Sequence, residues 1–174
     1  MDSFSQKPVG AQALGSDPKK ADPIEKILLE RLLKLPILAR PVGNYRPALK
    51  AGKQLYLSGQ LPLIDNSLRN FTGRLGREIS LEAGQKAAQI CTLNALAWVK
   101  QELGGLDKVK QVIKLTGYVS GMPGFKDQAK VLNGASELLV ALYGEAGRHT
   151  RSAVGVTDLP LGACVEIEYL FEVK

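Results

Sequence analysis

With 174 residues, 45% of them hydrophobic, the chain is long enough for one domain with an ordinary buried core and some terminal material besides. A formal net charge of +6 and a pI near 9.3 attract anions in general, but the cations are dispersed among acids rather than gathered into the basic, aromatic-interleaved surface that nucleic acid requires. No apolar stretch approaches the roughly 20 residues of a membrane span, the two cysteines, Cys91 and Cys164, are too few for a disulfide framework or a zinc site, and the single histidine, His149, excludes a two-histidine metal centre.

Residues 1–22 are rich in Gly, Ser, Pro, Asp and Lys and hold no apolar run that could serve as a signal-peptide core, so they predict a flexible leader on a cytoplasmic protein. Asp22-Pro23 then supplies an N-cap and a first-turn proline, and Ile24, Ile27, Leu28, Leu32 and Leu35 recur at helical spacing. An amphipathic helix over 23–36 is expected, ended by Pro36. Residues 45–63 contain a hairpin, with a first strand near Tyr45–Leu49, a turn at 50–53 and a second strand through Leu55 and Leu57. Ser58-Gly59-Gln60 interrupts that second strand, and a glycine there marks a bulge or a close approach of another group to the backbone. Residues 65–78 are polar and read as a loop.

Ser80 caps the most strongly marked helix, whose apolar positions run from Ala87 through Ile90, Leu93, Ala97 and Trp98 to Leu103, and Gly104-Gly105 ends it. Residues 109–121 are β-branched and alternating, hence a strand. A second helix is expected from about Phe125 to Tyr143, and two strands around a turn close the chain. This order, helix, β, β, α, β, α, β, β, predicts an α+β domain with two helices on one face of a mixed four- or five-stranded sheet. In the last strand Val165, Ile167, Tyr169, Phe171 and Val173 share one face, which belongs under the helices. Glu166, Glu168, Leu170 and Glu172 share the other, and no further element of the chain is left to cover it.

Arg151 stands on one pleat face with Ala153 and Gly155, which offer almost nothing to pack against. If the closing strands pair as a hairpin, the turn at Asp158–Gly162 permits either parity, so Arg151 either faces Glu166 and Glu168 or faces away from them. A guanidinium over so low a floor can take a planar carboxylate by paired hydrogen bonds; it can equally be a solvent-facing arginine beside a glutamate. His149 reads as an incidental surface-turn imidazole.

The segments "YLSGQLPL" and "TRSAVGVTDLPLGACVEIE", with "AAQICTLNALAWVKQELGGLDKVKQVIKLTGYV" between them, resemble the Rid family of reactive intermediate imine deaminases, formerly YjgF and also labelled endoribonuclease L-PSP. The resemblance covers residues 37–174, a Rid-like domain to which the helix over 23–36 and the leader are additions. It implies a chorismate-mutase-like fold and a homotrimer in which the sheets form a central β-barrel, with ligand pockets in the clefts between subunits. Residue by residue, it implies that Arg151 binds the substrate carboxylate and that Glu166 is associated with a site water. Tyr45, Ser58, Gly59 and Asn133 are then pocket residues, although a bulge, trimer packing and helix capping would explain those four equally well. Gly43-Asn44 before Tyr45, Ala153 in place of a frequent cysteine, and His149-Thr150 in place of Pro-Ala before the arginine mark a divergent subgroup. The implied chemistry is hydrolysis of reactive 2-iminoacids or their enamines to 2-oxoacids and ammonia, a form of metabolite damage control that needs no metal or cofactor. Two other classes remain open: a trimer that binds small carboxylates without turnover, and an endoribonuclease, against which the lack of a basic-aromatic surface counts.

Overall fold

Asp22 starts the first helix, α1 (Pro23–Glu30). Its carboxylate accepts hydrogen bonds from the backbone N–H groups of Ile24 and Glu25, each at 2.9 Å, and the Glu25 side chain accepts in return from the Asp22 N–H. This reciprocal cap satisfies donors that a helix start leaves unpaired, and Pro23 costs nothing there because its missing N–H would have been one of them. The helix ends earlier than the spacing through Leu35 predicts. Leu32 enters the left-handed region (φ 57°), so Leu33 and Leu35 reach the core from an irregular segment. The computed structural model describes residues 22–38 and 43–174; the leader expected over 1–22 lies, up to residue 21, outside the described residues.

The hairpin forms from β1 (Ala48–Ala51) and β2 (Gln54–Gln60), turning at Gly52 with φ 61°. Ser80 caps α2 (Leu81–Leu103) by accepting from the Ala83 N–H at 3.1 Å, and Gly104 ends it at φ 81°. Then follow β3 (Val109–Ser120), α3 (Gln128–Tyr143), β4 (Thr150–Val156) and β5 (Val165–Val173). The second Asp22 carboxylate oxygen accepts from the Leu106 N–H at 2.6 Å, just beyond α2, and Glu25 pairs with Lys100 of α2, so α1 is fastened by polar groups as well as by buried Leu28.

The strands lie in the order β1-β2-β5-β3-β4, with every neighbouring pair antiparallel except β3 and β4. This corrects the expected closing hairpin: β4 and β5 are not neighbours. The connection from β3 through α3 to β4 is a crossover, which makes the two strands parallel. The last strand then returns to the middle of the sheet, where Val165, Ile167, Tyr169, Phe171 and Val173 are buried under the helices. Residues 150–155 of β4, exposed throughout, occupy the edge instead. Both cysteines are buried and unpaired, and burial pushes the Cys164 thiol up to about 12. The sheet's other face is open; Leu49, Tyr56 and Val154, all on strands, are exposed hydrophobic residues, and no other described element lies over them.

Candidate functional site

Pairing with Leu115 of β3, which is buried in the core, turns Arg151 toward the helical side of the sheet. There its Nη1 donates to Asn133 Oδ1 and to Ser136 Oγ, both at 3.0 Å, from residues one turn apart on α3. Among the described residues Nε and Nη2 make no hydrogen bond, so one side of the planar fork is held while the other is open to a carboxylate. Ala153 and Gly155 continue the same pleat face as a low floor, and the amide of Gln128 lies over Gly155, where an added Cβ would come within 3.0 Å of its Nε2.

His149, two residues before Arg151 on that face, is not an incidental surface group. Its Nδ1 meets the Gly147 carbonyl at 2.8 Å, and its Nε2 lies 3.1 Å from Ser136 Oγ. Burial, and then the charge of Arg151, hold its pKa below the usual histidine value against the opposing pull of the Gly147 carbonyl. Gly147 itself cannot carry a side chain, since a Cβ would stand 2.2 Å from the Leu139 carbonyl oxygen.

A second group of residues lies across the sheet. The β2–β5 register slips between Leu57↔Tyr169 and Gln60↔Ile167, so Ser58 and Gly59 together oppose Glu168: the bulge read from the sequence. Gly59 is needed for closeness rather than for backbone freedom. A Cβ there would fall 1.9 Å from Glu166 Oε1 and 2.7 Å from its carboxyl carbon. Glu166 is paired with Tyr118 of β3 on the open face and is partly buried; burial first, then the Glu168 carboxylate, raise its pKa. The Tyr118 hydroxyl donates to Glu168 at 3.3 Å. Ser58 Oγ donates to the Arg46 carbonyl at 2.8 Å, fastening β2 to the segment that carries Tyr45, whose ring is half exposed.

The predicted residues therefore gather into two sets. Arg151 meets Asn133, and Gly59 meets Glu166, with Ser58 and the Tyr45 segment beside them. Arg151 and Glu166 stand on opposite faces of one sheet. Ser136 and His149 were missed as partners of Arg151, although the spacing holds the signal: Ser136 follows Asn133 by one turn, and His149 shares the pleat face of Arg151. Among the described residues no cluster of three or more His, Cys, Asp or Glu side chains could hold a metal ion, and no helix is long and apolar enough to cross a membrane.

Two long helices on one face of a mixed five-stranded sheet, with a bulged second strand against a glutamate of the last, define an α+β protein of YjgF-like fold. The chain belongs to that family: residues 25–173 match the one described as "YjgF/chorismate mutase-like, putative endoribonuclease". It is 45% identical over 148 residues to Protein TCP17 of Trypanosoma cruzi, covering 84% of this chain and 92% of that one. The crystal structure of Atu1372 from Agrobacterium tumefaciens, a protein of unknown function, is similar with a TM-score of 0.81 and 43% identity, over 87% of this chain and 92% of that one. A 2-iminobutanoate/2-iminopropanoate deaminase of Dermatophagoides farinae is a more distant relative, 28% identical over 83% of this chain and 98% of its own. The relative with a stated activity is thus the more distant of these three, which marks the chain as a divergent member.

Proposed function

We propose that the protein is a homotrimeric deaminase that hydrolyses 2-iminoacids and their enamine tautomers to 2-oxoacids and ammonia. The observation that carries this reading is the Arg151 guanidinium, tied to α3 through Nη1 alone and otherwise open above a floor of Ala153 and Gly155. A planar, permanently charged fork with one free side suits a carboxylate. The iminoacid deaminase among the relatives supports the choice of reaction.

Arg151 and Glu166 lie on opposite faces of the sheet, which supports a pocket shared between two copies rather than one within a single chain. One subunit supplies Arg151 and Asn133. Its neighbour supplies Glu166 with Gly59, Ser58 and Tyr45. The open sheet face, with Leu49, Tyr56 and Val154 exposed, suits burial in the centre of the trimer. In this reading residues 37–174 form the catalytic domain, and the segment 23–36 is an addition fastened to it by Asp22 and Glu25.

The chemistry requires little. The imine carbon is already electrophilic, so binding of the carboxylate by Arg151 mainly fixes its orientation. Glu166, its pKa raised toward that of a useful base, accepts a proton from the attacking water as the oxygen bonds to carbon. The nitrogen of the tetrahedral adduct takes up both protons of the former water, one returned by Glu166 and one lost from the adduct's hydroxyl, and departs as ammonia as the C–N bond breaks and the C=O of the 2-oxoacid forms. Gly59 leaves room for the carboxylate beside the backbone.

Ammonia release from freshly generated 2-aminoacrylate or iminoleucine, with and without the protein, tests turnover; binding of 2-oxoacids without any acceleration would instead identify a carboxylate-binding trimer. Subunit mixing tests the shared pocket. Two impaired variants, Arg151→Ala and Glu166→Gln, refolded together in equal amounts should regain about a quarter of the parent activity, because that share of randomly assembled interfaces unites both intact residues. No gain on mixing overturns the shared pocket.

A further inference from the structure

We propose that Ser136 and His149 are positioning residues that hold the Arg151 guanidinium in its carboxylate-receiving orientation through one directed chain of hydrogen bonds. The inference rests on the reading of Arg151 as the carboxylate holder and extends it to two residues outside the family resemblance.

The direction of the chain follows from what each atom can do. The Gly147 carbonyl only accepts, so the Nδ1 that meets it at 2.8 Å carries a proton. In the neutral ring Nε2 is then an acceptor, and at 3.1 Å it receives the Ser136 hydroxyl proton. With its proton committed, Ser136 Oγ offers lone pairs to Arg151 Nη1 at 3.0 Å. Burial and the neighbouring guanidinium both favour the neutral ring that this arrangement needs. At the far end Gly147, in the 3-10 turn that follows α3, is wedged against the helix's last turns, where no side chain fits, so the carbonyl that orients His149 is held against the same helix that carries Ser136 and Asn133. Asn133 accepts from the same Nη1, and the two acceptors together fix the plane of the fork. An arginine ordered before ligand arrives loses less side-chain freedom on binding.

Because this chain has a single histidine, the imidazole signals in nuclear magnetic resonance belong to His149 without assignment. The parent protein above neutral pH should show the neutral, Nδ1-protonated tautomer; an Nε2-protonated ring overturns the chain's direction and the proposal with it. Pyruvate binding, measured by calorimetry, is the second readout. Ser136→Ala should weaken it about fivefold, the effect of one lost hydrogen bond. His149→Phe, which keeps the ring but removes the acceptor, should do the same, and His149→Gln, which returns an acceptor oxygen, should recover most of the loss. The double variant Ser136→Ala/His149→Phe should bind no worse than Ser136→Ala, since both residues act through one link. Parent-like binding by both single variants, or additive losses, overturns the chain while leaving Arg151 as the carboxylate holder if Arg151→Ala has lost pyruvate. Should Arg151→Ala bind pyruvate like the parent, the site reading and the positioning chain fail together.

Discussion

The β4–α3 edge and the β2–β5 face of the same sheet are built on opposite terms. At the edge, a permanent cation is held by neutral groups, Asn133 and Ser136, and nothing among the described residues neutralises it. On the open face, burial and then the neighbouring Glu168 carboxylate disfavour the charge of Glu166, and no described cation offsets them. Each side lacks what the other holds. In the proposed reading the edge binds the carboxylate but has no base, while the open face has the base with no anchor for the substrate. A protein that kept both charges for stability would have paired them within the chain; their separation by the sheet makes sense if ligand and neighbouring subunit complete the balance.

Removing the cation should break the comparison most severely. Arg151→Ala should lower kcat/KM for iminoacids roughly a hundredfold, about 3 kcal/mol for a bidentate, charge-assisted contact. Arg151→Lys should recover little of it, because a point charge cannot reproduce the planar fork. The alanine sits on an exposed edge strand beside Ala153, so sedimentation should give the same oligomer as the parent. Undiminished turnover would make Arg151 a surface arginine and remove the edge from the site.

On the acidic face the expected loss is smaller. Gly59→Ala would drive a methyl group to within 1.9 Å of Glu166 Oε1, and the carboxylate, the flexible end of a side chain, must swing aside. Turnover should fall about tenfold, part of the roughly hundredfold or more that a positioned base contributes. Pyruvate affinity, which depends on the other half-site, should stay within about twofold. A matching drop in both quantities would mean that the substitution has disturbed the subunit contact rather than the base.

How these halves divide was only partly legible in the sequence. The strand alternation in residues 165–173 and the capped helix at Ser80 hold strong local signals, and the observed elements follow them closely. The bulge at Ser58-Gly59 was legible for the same reason, since a glycine inside a strand has few other uses. Strand order was not. Residues 149–174 look like a hairpin because two strands flank a turn, and only the crossover through α3 makes β4 parallel to β3 and sends β5 past it. Arg151 and Glu166 were each identified from local pattern and family resemblance, but their separation is a property of three strands, with β3 between them. His149 was misjudged for a related reason: its partner Ser136 lies on another element, and the contact depends on how α3 sits against β4.

The smallest effect concerns the two carboxylates alone. Burial is the larger cause of the raised Glu166 pKa and remains in any surface variant, but the second cause, the charge of Glu168, can be removed. If ionised Glu166 is the base, turnover declines as pH falls through its raised pKa. Glu168→Gln should therefore move that acid limb to lower pH without bringing it all the way to the ordinary value. The sign for stability runs the other way from that of a salt-bridged acid. A carboxyl whose folded pKa exceeds its unfolded one binds more protons when folded, so its contribution to stability is fully present below the unfolded pKa and is lost as pH rises through the folded pKa. At neutral pH the repulsion between ionised Glu166 and Glu168 opposes folding, and Glu168→Gln should raise Tm slightly while shifting the limb. Pyruvate affinity, governed by the edge, should not move. A limb that stays in place in Glu168→Gln would assign the titration to a group other than Glu166, and the acidic face would lose its role as the base.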